Sequence, residues 1–212
     1  MATGTEVKPN RRGVKSRELV LDAAERVMAQ DGFEAATLAR VVQEAGIPIS
    51  SVYHYFGSKD GILLAVMERG AKRFFADLAD GDQRLGRPAQ HLTAMALATI
   101  NTLERHPDFL RLLIVFAAQP PRAGDGEVQA VVSRVRDMAL TRLRKQIALA
   151  FGDNPGDPTT DTLARFALAA IDGAFIAHQT DPQATLENVL NPFAASLTAI
   201  RKTLRDTRRP RE

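Results

Sequence analysis

The side chains with chemical reach gather between Thr37 and Lys59. Two short stretches of helical character, Thr37 to Ala45 and Pro48 to Phe56, flank Gly46-Ile47-Pro48. A helix-turn-helix needs this: a tight turn containing Gly, then a helix short enough to lie in the major groove. Val41, Val42, Ala45, Ile47 and Val52 supply a small core between the two helices. Ile49, Ser50, Tyr53 and His54 are then left on the outer side of the second helix, with Ser51 beside them. Hydroxyls, a phenol and an imidazole on one face are phosphate and base-edge partners. Thr37 and Lys59 each open a helix, where free N–H groups and the positive dipole end favour a phosphate. Tyr55 and Phe56 read as core, and a solvated His54 is as consistent with the pattern as a phosphate-bound one.

These residues resemble the DNA-binding segment of the TetR (tetracycline repressor) family of bacterial transcriptional regulators. Thr37, Val41-Val42, Ala45-Gly46-Ile47, Tyr53-His54-Tyr55-Phe56 and Lys59 match the family pattern in order and spacing, and so do the opening helix, Arg17 to Phe33, and its Gly-Phe exit. The likeness covers about residues 15–68. The family often has a capping Ser where Pro48 stands, a polar or basic residue at Ile49 and Gly at Ser50. These departures bear on which operator is read. Ile49 suits a thymine methyl, and Ser50 can bond several bases. The resemblance implies a regulator that binds double-stranded operator DNA through Thr37, Ile49, Ser50, Ser51, Tyr53, His54 and Lys59. It also implies a small-molecule pocket among helices four to eight.

The rest of the chain shows no catalytic constellation. The histidines at 54, 91, 106 and 178 lack metal-ligand spacing, and no phosphate loop or nucleophile elbow is present. There is no Cys, which excludes a disulfide framework and thiolate chemistry. The expectation is therefore a non-enzyme without cofactor or metal. Candidate residues for an apolar effector pocket are Phe74, Met95, Phe109, Leu113, Phe116, Met138, Phe166 and Phe175, with Asn101, Asp172 and His178 as the polar groups that orient a ligand. Each apolar member reads as core more readily than as ligand wall, and the three polar groups serve internal hydrogen bonds equally well.

The elements that must position these groups are helices. Val20, Ala23, Ala24, Val27 and Met28 fall on one helical face, and so do Leu163, Phe166, Ala167, Ala170 and Ile171. No apolar–polar alternation marks a strand. Gly and Pro punctuation gives about nine helices, the ninth from Thr185 to Arg205 with a break at Pro192. The expected fold is all-α: a three-helix helix-turn-helix domain over 1–58, then a helical bundle over 59–212 for sensing and dimerisation. Helix eight is apolar on more than one face. Helix nine carries a seam of Leu186, Val189, Leu190, Phe193, Leu197, Ile200 and Leu204. The seam fits either intrachain core or a two-fold interface. The commonness of two-fold dimers points to a homodimer through helices eight and nine.

The net charge is only +3, but basic residues crowd both ends. Lys8, Arg11, Arg12, Lys15 and Arg17 lie at one end, where Arg11 and Arg12 precede helix one as a possible minor-groove arm. Arg201, Lys202, Arg205, Arg208, Arg209 and Arg211 lie at the other. Such ends favour a polyanion or are solvated tails. The N-terminus lacks a signal-peptide apolar stretch, and the longest apolar run, Leu112 to Ala118, is far short of the ~20 residues of a membrane span. A cytoplasmic protein with no membrane partner is expected. Two other readings remain at this point: a DNA-binding dimer without a ligand, and a helical enzyme or scaffold.

Overall fold

The computed structural model describes residues 11–78, 81, 84–119, 126–181 and 183–207, with the backbone alone at Arg11 and Arg12. Among these residues there is no strand. The helices are α1 (Arg11–Asp31), α2 (Leu38–Ala45), α3 (Ile49–Phe56), α4 (Lys59–Asp77), α5 (Pro88–Arg105), α6 (Pro107–Ala118), α7 (Gly126–Phe151), α8 (Pro158–Thr180), α9 (Leu186–Leu190) and α10 (Phe193–Thr207). The expected ninth helix is α9 and α10, broken at Pro192. Proline there can donate no N–H to a continuing helix. The chain divides into two compact units, 1–72 with 108–132 and 73–107 with 133–212, and the divisions fall within α4, at the first residue of α6 and within α7.

The first unit is built on α1. Val20, Leu21, Ala24, Val27 and Met28 are buried to 2% exposure or less. Gly32, at φ +80°, ends the helix in the left-handed region. α1 starts at Arg11 and not near Arg17, so Arg11 and Arg12 belong to its first turn and are not an extended arm preceding it. α2 and α3 pack on α1. In α6, Phe109 is fully buried against Gly70 of α4, where even a Cβ would collide with the ring. Phe116 meets Phe33 edge-on at 5.8 Å. Arg69, also on α4, reaches three carboxylates of α1. Its Nη1 donates to Glu18 at 3.0 Å and to Asp22 at 2.7 Å, and its Nη2 donates to Glu25 at 2.7 Å. Burial alone lowers the Arg69 pKa, but the bonds and charges of Glu18, Glu25 and Asp22 outweigh it and hold the guanidinium above its ordinary range.

The second unit packs α10 on α5 and α8, and α9 on α8 and α5. α8 opens on Pro158 and is capped by Asp157, whose carboxylate accepts from the Thr159 N–H at 2.7 Å. That bond comes first among the interactions that lower the Asp157 pKa. The seam read from the sequence of helix nine is mostly intrachain core. Leu186, Leu190, Phe193 and Leu197 are exposed by 5% or less within the single chain, because α9 and α10 turn them toward α5 and α8. Only Val189 of that seam is counted among the large exposed apolar residues. The unpartnered apolar stripe lies instead on α8, where Phe166, Ala169, Gly173 and Ile176 are exposed at three- and four-residue spacing.

Candidate nucleic-acid interface

Local chemistry sets the geometry of the helix-turn-helix. Thr37 Oγ1 accepts from the Arg40 N–H at 3.2 Å and caps α2. Gly46, at φ +64°, closes α2 by donating to Val42 O at 3.0 Å. The next helix begins without such help. Pro48 is its N-cap residue and no side chain caps it. Val41 of α2 and Val52 of α3 are buried at 1% exposure each, while Val42, Ala45 and Ile47 are half-buried.

With Val52 inward, the opposite side of α3 is presented to solvent. Ile49 is 46% exposed and Tyr53 51%, and Ser50 and His54 are exposed as well. Ser51 is half-buried. Tyr55 and Phe56 are half-buried and not full core. Phe56 lies under the Arg17 guanidinium, 5.1 Å from the ring centroid. Ser58 Oγ accepts from the Gly61 N–H at 3.0 Å and starts α4. Lys59, just after it, is more constrained than its position in the sequence suggests. Its Nζ donates to Glu34 O at 3.0 Å and stands 4.4 Å from the centre of the Phe33 ring. One ammonium donor is thus spent near the entry to α2, which fixes the charge close to the Thr37 end of the domain. The sequence carried a partial signal for this anchor in the aromatic Phe33 at the α1 exit, but none for the Glu34 carbonyl.

The basic C-terminal end is less available than its composition implies. Arg201 forms a paired hydrogen bond with Asp153 at 2.8 and 2.9 Å and lies 4.5 Å from the Phe151 ring centre. Arg205 reaches the same carboxylate at 2.5 Å. Lys8, Arg208, Arg209 and Arg211 lie outside the described residues.

The second unit contains a cavity of about 350 Å³, bounded by α4, α5, α7 and α8. Its lining overlaps the sequence-derived list only at Phe74 and Met95. Phe109, Leu113 and Phe116 are core of the first unit, and Phe175 is buried without lining the cavity. Met138, Phe166 and Asn101 are exposed. Asp172 pairs with Arg136 at 2.6 Å, and His178 Nδ1 donates to Ala184 O at 3.0 Å, so both polar groups serve internal bonds. The wall's actual polar groups are His91, Thr99, Arg142 and Gln146. Arg142 and Gln146 stand one turn apart beside Ala139 and Leu143, a polar edge on an apolar stripe that the sequence displays. Among the described residues no cluster of His, Cys, Asp and Glu could hold a metal, and no helix is long and apolar enough to cross a membrane.

Residues 20–66 match the model of the bacterial regulatory proteins of the tetR family. That span runs from the α1 core through the turn, α3 and the start of α4. Through this segment the chain is similar to the tetR family. The HTH-type transcriptional regulator BetI of Brucella canis is 26% identical over 195 residues, 92% of this chain and 89% of that protein. The fold agrees with a TetR-family regulator from Agrobacterium tumefaciens, at 18% identity and TM-score 0.71 over 87% of this chain and 98% of the other. It agrees as well with a regulator from Saccharomonospora viridis solved in complex with choline, at 18% identity and TM-score 0.68 over 88% and 95%. The matched family and the relatives are regulatory proteins, and the expectation of a regulator and not an enzyme agrees with them.

Proposed function

We propose that this chain is a dimeric transcriptional repressor that binds a palindromic operator and leaves it when a small molecule fills the cavity of the second unit. The observation that carries the reading is the outward face of α3. Ile49, Ser50, Tyr53 and His54 are exposed, while Val52 at the back of the same helix is buried. Recognition helices contact bases through their N-terminal residues, which here are Ile49 and Ser50. Tyr53, His54 and Ser51 serve phosphate or base edges, and Thr37 and Lys59 bring two helix starts and an ammonium to the backbone. The functional division is 1–58 for DNA and 59–212 for sensing and dimerisation. α4 links them, with Lys59 at its first residue and the cavity residue Phe74 near its last turn.

The face open to a second copy is the α8 stripe. Phe166 and Ile176 are 43% and 48% exposed, and nothing lies within 4 Å of where a Cβ on Gly173 would stand. Two such helices can approach closely at Gly173 and bury the flanking apolar side chains. Effector action follows from differential affinity. The ligand must prefer a dimer whose recognition helices no longer match successive major grooves, about 34 Å apart.

Titrating the protein against DNA from upstream of its own gene, by fluorescence anisotropy at several salt concentrations, tests the reading. Tyr53→Phe is expected to weaken binding with an unchanged melting curve. Lys59→Ala is expected to weaken it evenly across sequences and lower the salt slope by about one. Binding unaffected by both substitutions would remove α3 and α4 from the interface.

A further inference from the structure

A lysine at the first residue of a helix faces the positive end of the helix dipole, where a cation is disfavoured. Lys59 stands at that position in α4 and is half-buried. Two groups of the α1–α2 connection offset the penalty. The Glu34 carbonyl oxygen accepts from Nζ at 3.0 Å, and the Phe33 ring presents its face 4.4 Å from the same nitrogen. That separation lies inside the roughly 6 Å range over which a ring attracts a cation. An ammonium carries three donors, so the bond to Glu34 leaves the others for a phosphate.

The tilt of Phe33 is set from α6. Phe33 is half-buried, and the buried Phe116 ring meets it edge-on, 5.8 Å between centres and 64° between planes. Aromatic pairs prefer such arrangements, so the contact fixes orientation as well as distance. α6 is itself held at this end. The Phe116 carbonyl accepts from the Gln129 side-chain amide of α7 at 3.3 Å, and Arg111 Nη1 donates to Ala29 O in the last turn of α1 at 3.4 Å. All of these residues belong to the first unit.

We propose that Phe33 is the positioning residue of Lys59, and that α6 sets the placement of this ammonium through the Phe116–Phe33 contact. The inference rests on the reading of Lys59 as a phosphate contact given above. A free lysine stem must give up its rotamer freedom when it binds a phosphate. The ring removes that freedom beforehand, so its contribution appears as tighter operator binding. A tilt of α6 moves the Phe116 edge, and with it the ring on which the ammonium rests. Adjacency alone does not make two sites coupled, whereas a non-additive pair of substitutions does.

Wild type, Phe33→Leu, Lys59→Ala and the double variant, titrated by fluorescence anisotropy against DNA from upstream of the gene, provide that test. Leucine keeps apolar volume and removes the π face. Phe33→Leu is expected to weaken binding about two- to fivefold, the size of an exposed cation–π contact. In the Lys59→Ala background the same substitution should cost nothing, and Phe33→Tyr, which keeps the ring, should restore wild-type affinity. Phe116→Leu should weaken binding by a smaller factor, again only while Lys59 is present. General damage to the fold from either Leu substitution would persist without Lys59, which separates it from positioning. A readout independent of DNA comes from lysine labelled with 13C at Cε, where the Lys59 signal is the one missing from Lys59→Ala. The ring current of Phe33 should shift its Hε resonance upfield in the wild type. That shift should vanish in Phe33→Leu and shrink in Phe116→Leu. An unshifted Hε in the wild type, strictly additive losses, or a Phe33→Tyr protein as weak as Phe33→Leu would each overturn the proposal. Lys59→Ala that binds the operator like the wild type refutes the phosphate contact and the inference with it. Weak binding by Lys59→Ala beside an unaffected Phe33→Leu refutes the positioning alone.

Discussion

Replacing Gly70 by alanine sets two effects of known size against each other. Within a helix, Gly→Ala is favourable by up to about 1 kcal/mol, because glycine loses more backbone freedom on folding. At Gly70 the new methyl would occupy space held by the Phe109 ring of α6, inside ordinary contact distance of several ring carbons. Phe109 has 0% exposure, so the ring has no open side into which to turn. Adding a methyl to such a site costs about 1–3 kcal/mol. From the middle of that range, about 2 kcal/mol, the clash outweighs the gain, and the expected net loss is about 1 kcal/mol, a few degrees in melting temperature for a chain of this length. Phe109→Leu alone should also destabilise, by leaving a void. In the double variant the smaller side chain makes room for the methyl, so the pair should be more stable than the two losses summed. Urea unfolding at one fixed protein concentration measures all four proteins, because dimer stability depends on concentration. A Gly70→Ala protein as stable as the wild type, or strictly additive losses in the double variant, would refute the argument.

Three further outcomes are expected. Asp157→Ala should destabilise α8 by about 1 kcal/mol. The wild-type cap, whose folded pKa lies below its ordinary value of 3.8, should contribute fully above that pH and be lost as pH falls through the lower folded value. An acid-unfolding midpoint identical in wild type and Asp157→Asn, which keeps a capping oxygen without the titration, would contradict this. Gly173→Leu should convert the dimer toward monomer in sedimentation velocity, and an unaltered dimer would move the interface off the α8 stripe. Replacing an operator thymine by uracil should cost the wild type about 1 kcal/mol if Ile49 packs on that methyl, and should cost Ile49→Ala almost nothing. Equal responses at every thymine would make Ile49 a packing residue.

The features legible in the sequence are those decided within a few residues. The Thr37 cap, the left-handed Gly46, the Pro88 start of α5 and the break at Pro192 each depend on one side chain and its near backbone. The outward face of α3 follows from helical period once Val52 is placed inward. The cavity was not legible in the same way. An aromatic residue on an apolar stripe can face a void or a neighbour, and the choice belongs to a partner far along the chain. Phe109 is claimed by Gly70 and Phe116 by Phe33, so neither reaches the cavity. The helix-nine seam misleads for the same reason. Its spacing specifies a partner helix without saying whose, and α5 and α8 of the same chain supply it.

Pro48 leaves its mark on the thermodynamics of recognition. Pro48 O accepts from the Ser51 and Val52 amides at 3.0 and 3.3 Å, but no side chain caps the helix and the amides of Ile49 and Ser50 precede the first intrahelical bonds. These two amides have no acceptor within the helix, so the first turn of α3 is expected to fray more readily than the capped start of α2. In the proposed operator complex, phosphate oxygens would supply the missing acceptors. On the proposed reading, part of the order in the recognition helix is acquired on the operator, at an entropic cost that falls on Ile49 and Ser50. A correct half-site offsets that cost through its contacts and an incorrect one does not, so the absent cap makes the helix start itself a contributor to discrimination.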